Sequence, residues 1–214
     1  ADELAKEDAQ AIASALDRTT ESKARAALHP IRDVEARLAL DQAVAKRDGL
    51  SVPMHEGPAF NHPIDLARLA ALKEGAQYRI STTKGDIVIA IEPDAAPGTC
   101  VAFDSLAASG SYDGKYFHRV VPDFVAQGGC PRGDGYGAMD WTMRTEVGYA
   151  GFDTGAVGIA SAGRDTESCQ FFIMLAPAPH LDGRYSRFAH VVSGLDVARR
   201  LVVGDAITGL GRLP

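Results

Sequence analysis

Tyr116-Phe117-His118-Arg119-Val120-Val121-Pro122-Asp123-Phe124-Val125-Ala126-Gln127-Gly128-Gly129 is the densest stretch of the 214-residue chain. It opens on a β-like run over 116–121 and sets one arginine and one glutamine among aromatics, aliphatics and glycines. Two later blocks have the same make-up. One is Gly158-Ile159-Ala160-Ser161-Ala162-Gly163 leading to Gln170-Phe171-Phe172-Ile173, and the other is Pro179-His180-Leu181-Asp182-Gly183-Arg184-Tyr185, followed by Phe188. Phe171 and Phe172 alternate, so in a strand one faces the core and the other the opposite side.

Working outward, Tyr78, Ile80 and Thr82 alternate with polar neighbours, Lys84-Gly85 reads as a turn, and Ile87-Val88-Ile89-Ala90-Ile91 follows, which predicts a β-hairpin. Pro97 and Thr99 open a helical segment that runs through Phe103 and Leu106 and stops at Gly110. Further β-like runs lie at 156–160, 170–175 and 188–193, and a short amphipathic helix fits 195–203. Short strands with many glycines between them suggest a closed barrel, which removes exposed edges.

The first 50 residues have a different period. Leu4, Ala9, Ile12 and Leu16, and then Val34, Leu38, Ala43 and Val44, recur every three or four residues. Two or three short helices fit, broken near Pro30 and ended by Asp48-Gly49. Pro53, Gly57, Pro58 and Pro63 mark 51–63 as an extended linker. Residues 1–66 are therefore expected to form a helical extension and linker, and 67–214 a separate domain.

Bulk properties exclude several classes of function. Hydrophobic residues make up 46% and charged residues 23%, which fits an ordinary folded chain. With 22 basic and 28 acidic residues the net charge is −6, and no basic run occurs, so no nucleic-acid partner is expected. No apolar stretch reaches the roughly 18 to 20 residues that span a bilayer, so no membrane segment is expected. A soluble protein is predicted, of the cytoplasm or, with a leader removed ahead of Ala1, of the periplasm. Cys100, Cys130 and Cys169 are widely spaced and contain no CxxC pair, so they are expected to be small buried residues and not zinc ligands or a disulfide framework.

Taken together, the three blocks and the hairpin resemble the cyclophilin family, whose signature has an FHRV run, a QGG turn, a QFFI strand and an LDG turn in this order. The resemblance covers roughly residues 76–208. It implies an eight-stranded antiparallel barrel capped by two helices, with the active site on the outer face of the barrel. It also implies peptidyl-prolyl cis-trans isomerase activity without metal or cofactor. Carried over residue by residue, it makes Arg119 the catalytic arginine, with Gln127 beside it. Phe124, Val125, Phe172 and Leu181 become the floor and walls of a proline pocket, and Ala160, Ser161 and Gln170 line the adjoining groove. Val125 stands where many members have methionine, and Ser161 where many have asparagine. At the rim His180 replaces a tryptophan common in eukaryotic members and Tyr185 replaces a histidine, as bacterial relatives often do. Weak cyclosporin binding is expected, because the indole N–H donor and broad apolar face are missing.

These residue types suit the implied reaction. Rotation about a peptide bond has a barrier of about 18 to 20 kcal/mol because it breaks amide resonance. The twisted amide nitrogen regains a lone pair, which a fixed cationic donor stabilises selectively. Guanidinium is permanently protonated and rigid, so it can donate without transferring a proton. An apolar pocket holds the pyrrolidine ring and, by excluding water, strengthens that interaction. The expected partners are proline-containing peptides or unfolded proteins, with the N-terminal helices as a docking element. The alternative reading is a proline-peptide binding module with little turnover. His118 has no acid or histidine at ligand spacing and reads as a satisfied structural histidine, and Cys169 lacks any thiol-hydrolase signature. Gly128-Gly129-Cys130-Pro131-Arg132-Gly133-Asp134-Gly135 lacks the ending of a phosphate loop and reads as an irregular loop beside the pocket.

Overall fold

The computed structural model describes residues 18–28, 34–51 and 62–214. Helix α1 spans Arg18–Ala27 and α2 Val34–Asp48, which ends where Gly49 takes a left-handed backbone at φ 66°. The predicted 3.6-period run over Leu4–Leu16, the break at Pro30 and most of the 51–63 linker lie outside the described residues. Helix α3, Leu66–Ala71, is capped by Asp65, whose carboxylate accepts a hydrogen bond from Arg68 N at 2.9 Å.

The remainder is mainly β. Strands β1 (Gln77–Thr82) and β2 (Gly85–Ile91) form the expected hairpin, with Tyr78 opposite Ile89 and Ile80 opposite Ile87. Tyr78, Ile80, Ile87, Ile89 and Ile91 are all fully buried, so the alternation read in the sequence is the alternation of the pleat. Helix α4, Pro97–Ala108, follows with proline at its first turn and is buried nearly all round, with every residue from Thr99 to Asp104 buried and Leu106 and Ala107 as well. The Phe103 ring lies 5.0 to 5.9 Å from those of Tyr78, Tyr112, Phe171 and Phe188, forming the aromatic centre of the core.

Strands β3 (Phe117–Val121), β4 (Val125–Gly128), β5 (Ala156–Ile159), β6 (Phe171–Met174), β7 (Arg187–Ser193) and β8 (Ile207–Arg212) complete one eight-stranded sheet, ordered β3-β4-β6-β5-β7-β2-β1-β8 with antiparallel pairing throughout. Helix α5 covers Leu195–Arg200, three residues short of the predicted 203, because Leu201 already has an extended backbone.

Closure is less complete than the sequence suggests. The sheet curls into a half-barrel with β3 and β8 at its ends. The two ends meet through an isolated bridge between Tyr116 and Ala206 and through backbone hydrogen bonds, Phe117 N to Asp205 O at 2.8 Å and Ile207 N to Lys115 O at 2.7 Å. These contacts involve only the first residue of each strand and the residues just before it, so no continuous ladder runs along the seam.

The sheet has two apolar faces where β4, β6 and β5 lie side by side. Ala126, Phe171, Ile173, Val157 and Ile159 point into the main core, whereas Val125, Phe172, Met174 and Ala156 point the other way and join Phe152 and Ala178 in a smaller cluster. Period-two alternation thus sends Phe171 inward and Phe172 to the opposite side, as read from the sequence. The second face carries the candidate site.

Candidate active site

The β3–β4 hairpin places the first two side chains. Arg119 pairs across the hairpin with Gln127, and Val121 with Val125. Pro122-Asp123-Phe124 makes the turn, with Asp123 at φ 55°, a conformation aspartate tolerates better than most residues. Phe124 N donates back to Val121 O at 3.1 Å, and the Phe124 ring comes to lie under Arg119, whose Cζ is 5.6 Å from the ring centroid. Arg119 has no carboxylate partner among the described residues and is exposed.

Gln127 Nε2 donates to Gln170 Oε1 at 3.0 Å, and Gln170 Nε2 donates to the carbonyls of Gly135 and Gly137 at 2.9 and 2.7 Å. Gln170 is therefore fixed by loop backbone, and it fixes Gln127 in turn, leaving the Gln127 carbonyl oxygen without a hydrogen bond among the described residues. The apolar side is built from rings. Phe172 stacks on Phe152 at 5.5 Å and meets the edge of Tyr185 at 5.8 Å. Gly158 makes room for this stack: a Cβ there would come within 2.4 Å of Phe172 and 2.7 Å of Phe152.

A cavity of about 470 Å³ lies between these groups, lined by Arg119, Phe124, Val125, Gln127, Ala160, Ser161, Phe172, Leu181 and Tyr185 among others. Nine of the eleven residues singled out in the sequence thus line one space. The other two lie just outside that lining: Gln170 is buried and holds Gln127, and the exposed His180 stacks on Phe124 at 5.7 Å and 23°. His180 and Leu181 reach their places on a 3-10 turn, Pro179–Leu181.

The cavity also takes in His118, Asp134, Gly135 and Tyr136, which the sequence reading did not assign to it. The glycine-rich loop 128–135, expected beside the pocket, supplies Asp134 and Gly135, and Tyr136 follows it directly. His118 differs from the satisfied histidine expected. It packs against Gly135, Tyr116 and Gln170 lie close by, and neither ring nitrogen makes a hydrogen bond of good geometry among the described residues. Burial lowers its pKa below the ordinary histidine value, so it is neutral at pH 7. Asp134 is engaged by Arg132 at 2.8 Å and by Tyr136 N at 2.9 Å, and so does not neutralise Arg119. All three cysteines are buried and free.

The site thus combines an unpaired guanidinium, a fixed amide and an apolar slot. The family model for cyclophilin-type peptidyl-prolyl cis-trans isomerases matches residues 77–208, the whole span that builds it. The chain belongs to the cyclophilin family. Among the relatives of this cyclophilin are peptidyl-prolyl cis-trans isomerase B of Bacillus subtilis, 47% identical over 117 residues that cover 54% of this chain and 82% of the relative, and peptidyl-prolyl cis-trans isomerase ppi1 of Schizosaccharomyces pombe, 44% identical over 59% and 84%. A crystal structure of a Cryptosporidium parvum cyclophilin superposes with a TM-score of 0.62 at 26% identity, covering 65% of this chain and 98% of that one. A second crystal structure of that protein, in the presence of the dipeptide Ala-Pro, gives 0.61. Among the described residues of this cyclophilin no helix is long and apolar enough to cross a membrane.

Proposed function

We propose that the protein is a peptidyl-prolyl cis-trans isomerase that takes proline-containing segments of peptides and unfolded proteins into the 470 Å³ cavity. The observation that carries this reading is Arg119, unpaired and lying over Phe124 at the mouth of an apolar slot. The pyrrolidine ring enters against Phe124, Val125, Phe172 and Leu181, and the carbonyl before it swings. As the amide twists, its nitrogen becomes pyramidal, and a guanidinium N–H donates to the new lone pair. A planar amide offers no such acceptor, so the interaction favours the barrier over either isomer. Gln127, held by Gln170, presents its carbonyl oxygen to the substrate backbone. Ala160 and Ser161 border the groove, while His180 and Tyr185 brace Phe124 and Phe172 from the rim.

No proton changes hands in this mechanism, and the neutral His118 has no acid–base part in it. The presence of a structure of a similar cyclophilin with Ala-Pro supports the substrate class. The seam hydrogen bonds support reading the curled sheet as a barrel closed across Tyr116 and Ala206, and α1 and α2 belong to the N-terminal arm that we assign to docking.

The test is magnetisation-exchange NMR on an alanine-rich peptide with a single proline. The protein at micromolar concentration is expected to raise exchange far above the uncatalysed rate, which takes tens to hundreds of seconds. Binding of the peptide with exchange at the uncatalysed rate would leave only a binding module. Cyclosporin titrated into the same sample is expected to inhibit well above the nanomolar range, since His180 offers no indole.

A further inference from the structure

Next to the proline slot lies a second cavity, of about 630 Å³, which shares Ser161, Leu181 and Tyr185 with the first. Its walls carry two arginines, Arg164 and Arg184, from the loop after β5 and the turn before β7. Both are exposed, and neither has an ion-pair or hydrogen-bond partner among the described residues. No carboxylate lines the cavity. The two acids nearest in sequence are occupied by backbone amides: Asp165 accepts from Thr145 N at 2.9 Å, and Asp182 from Phe152 N at 2.7 Å. On a chain of net charge −6, a concave surface with two unpaired guanidiniums and no acid is an exception to the overall balance.

We infer that this cavity is a substrate subsite that selects peptides with a carboxylate side chain close to the isomerised proline. The inference rests on the isomerase reading above. An extended peptide advances about 3.3 Å per residue, so a chain seated with its proline against Phe172 and Leu181 carries a neighbouring side chain past Tyr185 within one to three residues. Two guanidiniums flanking that path receive an aspartate or glutamate and repel a lysine, which sets preference by charge on both sides of neutrality. Ser161 and Tyr185 belong to both cavities, so a peptide can occupy them together.

The experiment scans a single glutamate through the three positions before and the three after proline in an alanine-rich peptide, with a parallel lysine scan. Rates are taken by exchange NMR, so that no coupling protease imposes its own preference. Each result is the ratio of kcat/KM to that of the all-alanine peptide with the same protein, so a general change in activity cancels. Wild type is expected to favour glutamate by about three- to tenfold at one or two adjacent positions, and the advantage is expected to shrink in high salt. R164E/R184E is expected to prefer lysine at those same positions. A flat glutamate scan with the wild type, or an advantage that survives in R164E/R184E, overturns the subsite. Failure to turn over the all-alanine peptide overturns the isomerase reading instead, so the two failures are distinct.

Discussion

Glu167 is fully buried, and neither of its carboxylate oxygens makes a hydrogen bond of good geometry among the described residues. Burial pushes its pKa above the ordinary glutamate value, and the nearby Thr145 offsets only part of that rise. A folded-state pKa above the unfolded one means that the fold prefers the protonated acid. Stability is full below about pH 4.5 and falls as pH rises through the folded value. Glu167→Gln removes the charge without changing shape, and is expected to raise stability at pH 7 by about 1 kcal/mol, or about 2 to 4 °C in Tm. The gain is expected to vanish below pH 4.5, and thermal denaturation at pH 7 and pH 4 checks both halves. A Gln variant less stable at pH 7 would show that the carboxylate is satisfied. Nothing local in Thr166-Glu167-Ser168 signals a buried acid, because its burial comes from the bridge to Met143 across the fold. Arg119 is the opposite case. A lone arginine reads as a surface residue, and only its place between Phe117 and Phe124 identifies it.

The elements were legible where local pattern and tertiary demand agree. The β1–β2 hairpin, α4, β6 and β7 all carry their period in the sequence. Strands β4, Val125–Gly128, and β8, Ile207–Arg212, were not read, because VAQG and ITGLGR are short, glycine-containing runs made into strands by their neighbours. The start of α4 shows the same limit. Ala96 supplies no side-chain cap. Instead Glu146, from a distant loop, accepts from Gly98 N at 2.9 Å and from both Thr99 N and Thr99 Oγ1 at 2.8 Å. Orphan amides at the positive end of the helix dipole thus find a carboxylate some 47 residues away in sequence. Glu146→Ala is expected to cost about 1 to 2 kcal/mol, seen as a lower urea midpoint at unchanged slope, and Glu146→Gln less than half of that. Equal stability of the Ala variant and the wild type would show that water caps the helix as well as Glu146 does.

The whole molecule brings together what the sequence scatters. Arg119 and Gln127 come from one hairpin, Phe172 from a strand 45 residues later and Leu181 from the 3-10 turn beyond it, and the order β3-β4-β6-β5 sets them side by side on one face. The resemblance made the slot legible, and the pleat explains how it is built: the same alternation that buries Phe171 in the core turns Phe172 out to line the cavity. The second cavity and its two arginines were not legible, since no pattern links Arg164 to Arg184 until both loops are placed. The central claim is that Arg119 acts on the twisted amide and not on the resting peptide. Arg119→Ala, measured for both exchange and affinity on one proline peptide, tests it directly. The expected result is a fall in kcat/KM of roughly 10²-fold or more with Kd changed less than about threefold, and Arg119→Lys recovering little. A variant that loses affinity in step with rate, or that isomerises as fast as the wild type, would contradict it.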